Sequence, residues 1–116
     1  MNCRCFIEAK VTVPGFHCWP DAPDAYAYLR APHRHLFVIR VRQRVAHVER
    51  DTEFIDLGNR VRDALMDHFG ATGLCNFDAK SCEMIGMWIL TRFTELDQCS
   101  VHEDDENGAI IEVGDL

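Results

Sequence analysis

The sequence lacks several features that would assign a chain to a specialised class. It contains no apolar run near the roughly 20 residues that a membrane-spanning helix needs. Its start, Met-Asn-Cys-Arg-Cys-Phe-Ile-Glu, has neither the basic nor the apolar stretch of a signal peptide. We therefore expect a cytoplasmic protein that does not associate with a membrane.

Basic residues are few as well. The 12 Lys and Arg residues are outnumbered by 19 Asp and Glu residues, and the formal net charge is −7. Because binding to a phosphate backbone needs a basic surface, this charge argues against a nucleic-acid partner. The six cysteines include no Cys-x-x-Cys pair, which argues against a zinc ribbon. In a cytoplasmic chain they are expected to be reduced thiols that pack as small apolar residues.

What is present is the composition of an ordinary globular protein. The chain has 116 residues, of which 47% are hydrophobic and 27% are charged. This length and this apolar content suffice for one core, so we expect a single domain spanning residues 1–116.

Residue periodicity predicts four strands and two helices. Alternating apolar residues indicate strands at residues 3–13, 34–47, 98–103 and 109–113. Helical spacing predicts helices at residues 56–69 and 81–94, the second capped by Ser81. Pro14-Gly15 is expected to break the first strand, and Asn107-Gly108 to lie in the last turn. The order β-β-α-α-β-β suggests an α+β fold, in which a four-stranded antiparallel sheet carries both helices on one face.

Histidines at the start of the second predicted strand suggest a metal site. In His33-Arg34-His35 the two imidazoles are two residues apart, so a strand directs them to the same side. If the first two strands pair, His17 approaches the same point. Three His ligands with one open position are typical of catalytic zinc. The alternative is a pair of ordinary surface histidines.

Several short motifs, in this order, resemble the family of 6-pyruvoyl-tetrahydropterin synthase and 6-carboxy-tetrahydropterin synthase of queuosine biosynthesis. They are Phe16-His17, His33-Arg34-His35, Glu53 to Leu57, Ser81-Cys82-Glu83 and Val101-His102-Glu103. The resemblance spans about residues 5–113. It implies the tunnelling fold, Zn²⁺ held by His17, His33 and His35, and a reduced-pterin substrate.

The resemblance also implies roles for four further residues. Glu103 corresponds to the carboxylate that holds the pterin ring, and Glu83 to a second substrate-binding glutamate. The alternative for Glu103 is a solvated acid in the run Glu103-Asp-Asp-Glu106. Asp67 and His68 match a catalytic Asp-His pair, although the match would shorten the first helix. The alternative for His68 is an ordinary polar residue in the last turn of a helix.

The sequence departs from the family pattern at two positions, and the first affects the expected activity. The catalytic cysteine of the family corresponds here to Leu29, and the glycine between the two histidines to Arg34. Taken as a whole, the resemblance implies a zinc-dependent lyase acting on 7,8-dihydroneopterin triphosphate or a similar reduced pterin. Two alternatives stay open: a catalytically silent or repurposed relative that binds a pterin or purine-like ligand, and a purely structural hexamer.

The resemblance finally implies a homohexamer built as a dimer of trimers. In such an assembly, sites lie between subunits, with zinc from one chain and Glu103 from its neighbour. Closing small sheets into a barrel removes exposed strand edges, which gives a physical reason for the assembly.

Overall fold

A computed structural model describes residues 1–114, so the last two residues of the predicted domain lie outside the described part. The strands are β1 (Cys5–His17), β2 (His33–Val45), β3 (Gly70–Ala71), β4 (Leu74–Asn76), β5 (Gln98–Glu103) and β6 (Asn107–Glu112). The α-helices are α1 (Phe54–Phe69) and α2 (Cys82–Arg92), and a 3-10 helix spans Asp24–Leu29. No helix within residues 1–114 combines the length and apolar character that crossing a membrane requires.

The six strands form one mixed sheet in the order β3-β4-β1-β2-β5-β6. The predicted four-stranded antiparallel sheet is therefore wrong in two respects. The four long strands are antiparallel neighbours, but β3 and β4 add a short hairpin, and β4 pairs with β1 in parallel. The α+β class is confirmed.

One face of the sheet carries the hydrophobic core. Alternate residues of the central strands are almost inaccessible to solvent: Val11, Val13, Phe37, Ile39, Val41, Cys99 and Val101. Both helices pack against this face, α1 through Leu57, Val61 and Leu65, and α2 through Ile85 and Ile89. Burial of each such side chain contributes roughly 1.5–3 kcal/mol to folding.

Side-chain caps begin both helices. The Glu53 carboxylate accepts hydrogen bonds from the backbone N–H groups of Ile55 and Asp56, so α1 begins two residues earlier than predicted. The Ser81 hydroxyl accepts from the N–H of Met84 at 3.1 Å, which confirms the predicted cap of α2.

The structure differs from the prediction at one strand end and at one turn. β1 continues through Pro14 and Gly15 to His17, because the fixed φ of proline is compatible with an extended strand. The last hairpin turns at residues 104–106, while Asn107 and Gly108 already belong to β6. Asp104 and Asp105 adopt φ of 55° and 56°, a left-handed conformation that Asp tolerates better than most residues.

Candidate metal centre

Strand register brings His17, His33, His35 and Glu103 to one end of the core face. His17 pairs with His33 between β1 and β2, and Glu103 pairs with Phe37 between β2 and β5. All four side chains lie on the face that carries Phe37, whose ring is 5.2 Å from that of His17. The site is therefore built on the ends of three adjacent strands, where β hydrogen bonds hold the backbone rigidly.

The three imidazoles form a nearly equilateral triangle. Their ring centroids are 4.6 Å (His17–His33), 5.3 Å (His17–His35) and 5.0 Å (His33–His35) apart. One ligand atom from each histidine and one from Glu103 lie within 4.8 Å of one another. His17 is only 9% exposed, so the triangle sits partly below the surface.

The outer ring nitrogens of the histidines are held by oxygen acceptors. Nδ1 of His17 lies 2.9 Å from the carbonyl oxygen of Lys80, and Nδ1 of His33 lies 3.0 Å from that of Ala31. Because a carbonyl oxygen only accepts, each Nδ1 donates its hydrogen, and the neutral ring keeps a lone pair on Nε2. Such outer hydrogen bonds are typical of metal-ligating histidines.

His35 follows the same pattern with a carboxylate. Its Nδ1 lies 2.8 Å from Oδ2 of Asp104. A hydrogen bond from the Leu36 N–H, followed by the one from His35, lowers the pKa of Asp104, which is therefore ionised at neutral pH. Nε2 of His35 is buried and makes no hydrogen bond of good geometry within residues 1–114, although Oε2 of Glu103 is 2.6 Å away.

These donors fit a zinc ion. Three imidazole nitrogens and a carboxylate are ligands that Zn²⁺ prefers, and bonds of about 2.0–2.1 Å would separate neighbouring ligand atoms by about 3.3 Å. The distance to Glu103 Oε2 is 3.3 Å from His17 Nε2 and 2.6 Å from His35 Nε2, and the four ligand atoms lie within 4.8 Å of one another, so small side-chain movements would bring them to this spacing. The buried lone pair of His35 Nε2, which lacks a well-oriented partner, is the feature that a bound cation would satisfy.

A cleft of about 440 Å³ opens beside the four side chains. His17, His33 and Glu103 form one part of its wall, and the first turn of α2, from Ser81 to Met84, forms another. Trp19 and Leu29 contribute apolar surface. This volume and this mixture of apolar and polar groups are typical of a small-molecule site.

The sequence-predicted substrate residues both line this cleft. Glu83 lies in the first turn of α2. Glu103 contacts His17 and His35 of its own chain. Glu103 was expected to meet the zinc site of a neighbouring chain. Pairing of β2 with β5 also brings it to the histidines of its own chain, a contact that was not predicted.

The predicted catalytic pair is not part of this cluster. Asp67 and His68 are exposed in the last turn of α1, which is not shortened. The His68 ring packs against Phe69 and Trp88 rather than against the histidine triangle. Neither residue lines the cleft. Their catalytic role stays a prediction that requires a second chain to bring them to the cleft.

Sequence reasoning assigned no role in the site to two thiols that line the cleft. Cys82 lines it beside Glu103, and Cys18 lines it too. Burial, with the nearby carboxylates of Glu103 and Glu83, raises the pKa of Cys82 to about 12. The available signals were the capped start of α2 for Cys82 and the adjacency of Cys18 to His17.

Comparison with known proteins supports the fold. Among solved structures, 6-pyruvoyl tetrahydropterin synthase of Caenorhabditis elegans is similar to this chain, with a TM-score of 0.67. The match covers 96% of each chain at 11% sequence identity. The likeness shows the fold. No protein-family model matches the sequence, and no curated protein sequence is similar to it.

Proposed function

We propose that this protein is a zinc-dependent, lyase-type enzyme that acts on a reduced pterin such as 7,8-dihydroneopterin triphosphate. The observation that carries the proposal is the convergence of His17, His33, His35 and Glu103 beside a cleft of ligand size. The likeness to a tetrahydropterin synthase fold adds support, because such a synthase is built on the same strand framework.

In this proposal the three histidines hold the metal. Each presents Nε2 to a common centre while its Nδ1 hydrogen bonds outward. Bound zinc would polarise an oxygen of the substrate side chain and make the adjacent C–H more acidic. The imidazoles would hold the ion beside the cleft, and the hydrogen bonds that fix their rings reduce the reorganisation needed on binding.

The glutamates bind the ring in the same proposal. An aminopyrimidine edge offers an amino group and a ring N–H side by side, which a carboxylate accepts as two parallel hydrogen bonds. Glu103 and Glu83 are the two carboxylates on the cleft wall. Trp19, Leu29 and Met84 supply apolar surface against which a flat ring can pack.

Proton transfer requires a group that is unprotonated near neutral pH. The Cys82 thiol, with a pKa of about 12, can donate a hydrogen bond but is a poor base. We propose His68 as the base, with Asp67 as its partner, both contributed to the cleft by a neighbouring chain. A homohexamer, formed as a dimer of trimers, would supply that neighbour. The free edge of β6 and the 65% exposed Ile110 on it support assembly.

The test is an assay for loss of the side chain from 7,8-dihydroneopterin triphosphate. Zinc-loaded wild type should turn over, whereas His35→Ala should lose turnover and keep part of its affinity for neopterin. The reason is that the metal acts on the reacting side chain, while the glutamates hold the ring. His47→Ala is a matched control, since His47 is exposed on the loop after β2. A wild type that binds neither zinc nor pterin would contradict the proposal.

A second candidate function rests on Leu29. This side chain lines the cleft, and the sequence resemblance implies that it replaces the catalytic cysteine of the pterin synthases. An aliphatic group there cannot transfer a proton, which favours a silent or repurposed relative that only binds a pterin or purine-like ligand. Tight pterin binding without turnover in the same assay would support this candidate over the enzyme.

A further inference from the structure

Asp104 belongs to none of the roles described so far, yet it contacts the metal centre. Its Oδ2 accepts the hydrogen of His35 Nδ1 at 2.8 Å, on the side of the ring away from Glu103. The two other histidines of the triangle use neutral backbone carbonyls for the same purpose. Of the three Nδ1 atoms, only that of His35 is held by a charged acceptor.

The hairpin turn fixes the Asp104 side chain before any metal binds. Its Oδ1 accepts a hydrogen bond from the backbone N–H of Leu36 at 2.9 Å. Its own N–H donates to the carbonyl oxygen of Leu36 at 2.8 Å. These two bonds join the β5–β6 turn to the residue that follows His35. The carboxylate is thus tied to the β2 backbone at the point where it meets the imidazole.

From this geometry we infer that Asp104 is a positioning residue for the metal centre, which keeps the hydrogen of His35 on Nδ1 and directs Nε2 to the ion. The inference rests on the metal site of the proposed function and adds a residue to it. A carboxylate behind a ligating imidazole raises the electron density on the metal-facing nitrogen and restricts rotation of the ring. Asp104 therefore strengthens metal binding without touching the ion.

The neighbouring residue offers a matched control. Asp105 shares the turn and the left-handed conformation of Asp104, and it is likewise exposed. Its carboxylate bonds Arg40 at 3.1 Å instead of a histidine. Asp104→Asn and Asp105→Asn each remove one negative charge, and asparagine tolerates the left-handed backbone. The two variants thus differ in the bonds that Asp104 makes to His35 and to the Leu36 N–H, and unfolding of the zinc-free proteins reports the second of these without the metal.

The experiment measures zinc affinity by competition with a chromogenic chelator for the wild type, Asp104→Asn and Asp105→Asn. Thermal unfolding of the zinc-free proteins is recorded in parallel. We expect Asp104→Asn to lose about 10- to 100-fold in affinity, Asp105→Asn to match the wild type, and both to unfold near the wild-type temperature. Equal affinities for all three proteins would overturn the inference.

A second readout separates positioning from general structural support. Long-range ¹H–¹⁵N NMR of the zinc-loaded wild type reports which His35 nitrogen carries the hydrogen, and we expect Nδ1. Zinc bound through Nδ1 of His35 would overturn the inference even if affinity falls in the variant. A wild type without zinc affinity would overturn the proposed function along with it. A zinc-binding wild type with an unaffected Asp104→Asn variant overturns this inference alone.

Discussion

Oε2 of Glu103 lies 2.6 Å from Nε2 of His35, although the two residues are on different strands. The β2–β5 register brings them together, since Glu103 pairs with Phe37, two residues beyond His35. The same oxygen lies 3.3 Å from His17 Nε2. One carboxylate is therefore positioned both to contact a metal ion and to accept hydrogen bonds from a ligand in the cleft, and the two roles can be tested separately.

Replacing Glu103 with Gln should weaken pterin binding. The amide keeps the size of the side chain but cannot offer two equivalent charged acceptors, so we expect a loss of roughly 2–4 kcal/mol, or about 30- to 1,000-fold. Titration of neopterin by calorimetry measures this loss, with zinc content determined on the same samples.

Glu106→Gln is the control for that substitution, because Glu106 is exposed in the same hairpin turn. If Glu103→Gln binds neopterin as tightly as the wild type, Glu103 does not hold the ring. If only its zinc content falls, Glu103 serves the metal.

Gly15→Ala should destabilise the protein. A Cβ at Gly15 would lie 2.7 Å from the backbone oxygen of Cys75 on β4, which is too close for the parallel pairing of β1 with β4. We expect the free energy of unfolding to fall by about 1–3 kcal/mol in urea denaturation.

At Gly114 the same added methyl group would meet no atom within 4 Å, so Gly114→Ala serves as the control. Equal stability of the two variants would show that β4 does not pack against β1 as described.

Thiol reactivity should depend steeply on pH at the cleft. Because the pKa of Cys82 is raised to about 12, very little of this thiol is ionised at pH 8, and the thiolate fraction rises as pH increases toward that value. In zinc-free protein, iodoacetamide should modify the exposed Cys3 at pH 8 and leave Cys82 unmodified, as measured by peptide mass spectrometry. Rapid labelling of Cys82 at pH 8 would contradict this picture and return it to consideration as a base.

We expect the protein to be a hexamer at micromolar concentration. The β6 strand exposes one edge of the sheet, and the proposed base on α1 can act in the cleft only if chains assemble. Native mass spectrometry or light scattering gives the mass directly. A stable monomer would remove the proposed role of Asp67 and His68, because no second chain would bring them to the histidines.

The long elements of the fold were predictable because each carries its own periodicity. Alternation along residues 34–47 predicted β2, and helical spacing along residues 56–69 predicted α1, whose Leu57, Val61 and Leu65 are buried. β3 and β4 contain only two and three residues, too few to show a period. These residues form strands because β4 pairs with β1, for example at Gly15 and Cys75, and this pairing is a tertiary interaction.

The site, like the fold, was predictable from the sequence only where local geometry decides. The spacing of His33 and His35 follows from the geometry of a single strand, so the sequence predicted that their side chains point together. The approach of Glu103 and Asp104 to His35 depends on the β2–β5 register, which no local pattern specifies. Cys82 was missed for a related reason, because the packing of α2 against β5 and β6 brings its first turn to the cleft.

The measurement that tests the account most directly is the zinc content of the purified protein. Metal analysis of the wild type should find about one zinc per chain, and His33→Ala combined with His35→Ala should abolish it, because the remaining His17 and Glu103 cannot hold the ion alone. A wild type without stoichiometric zinc, or a double variant with unchanged zinc content, would contradict the account.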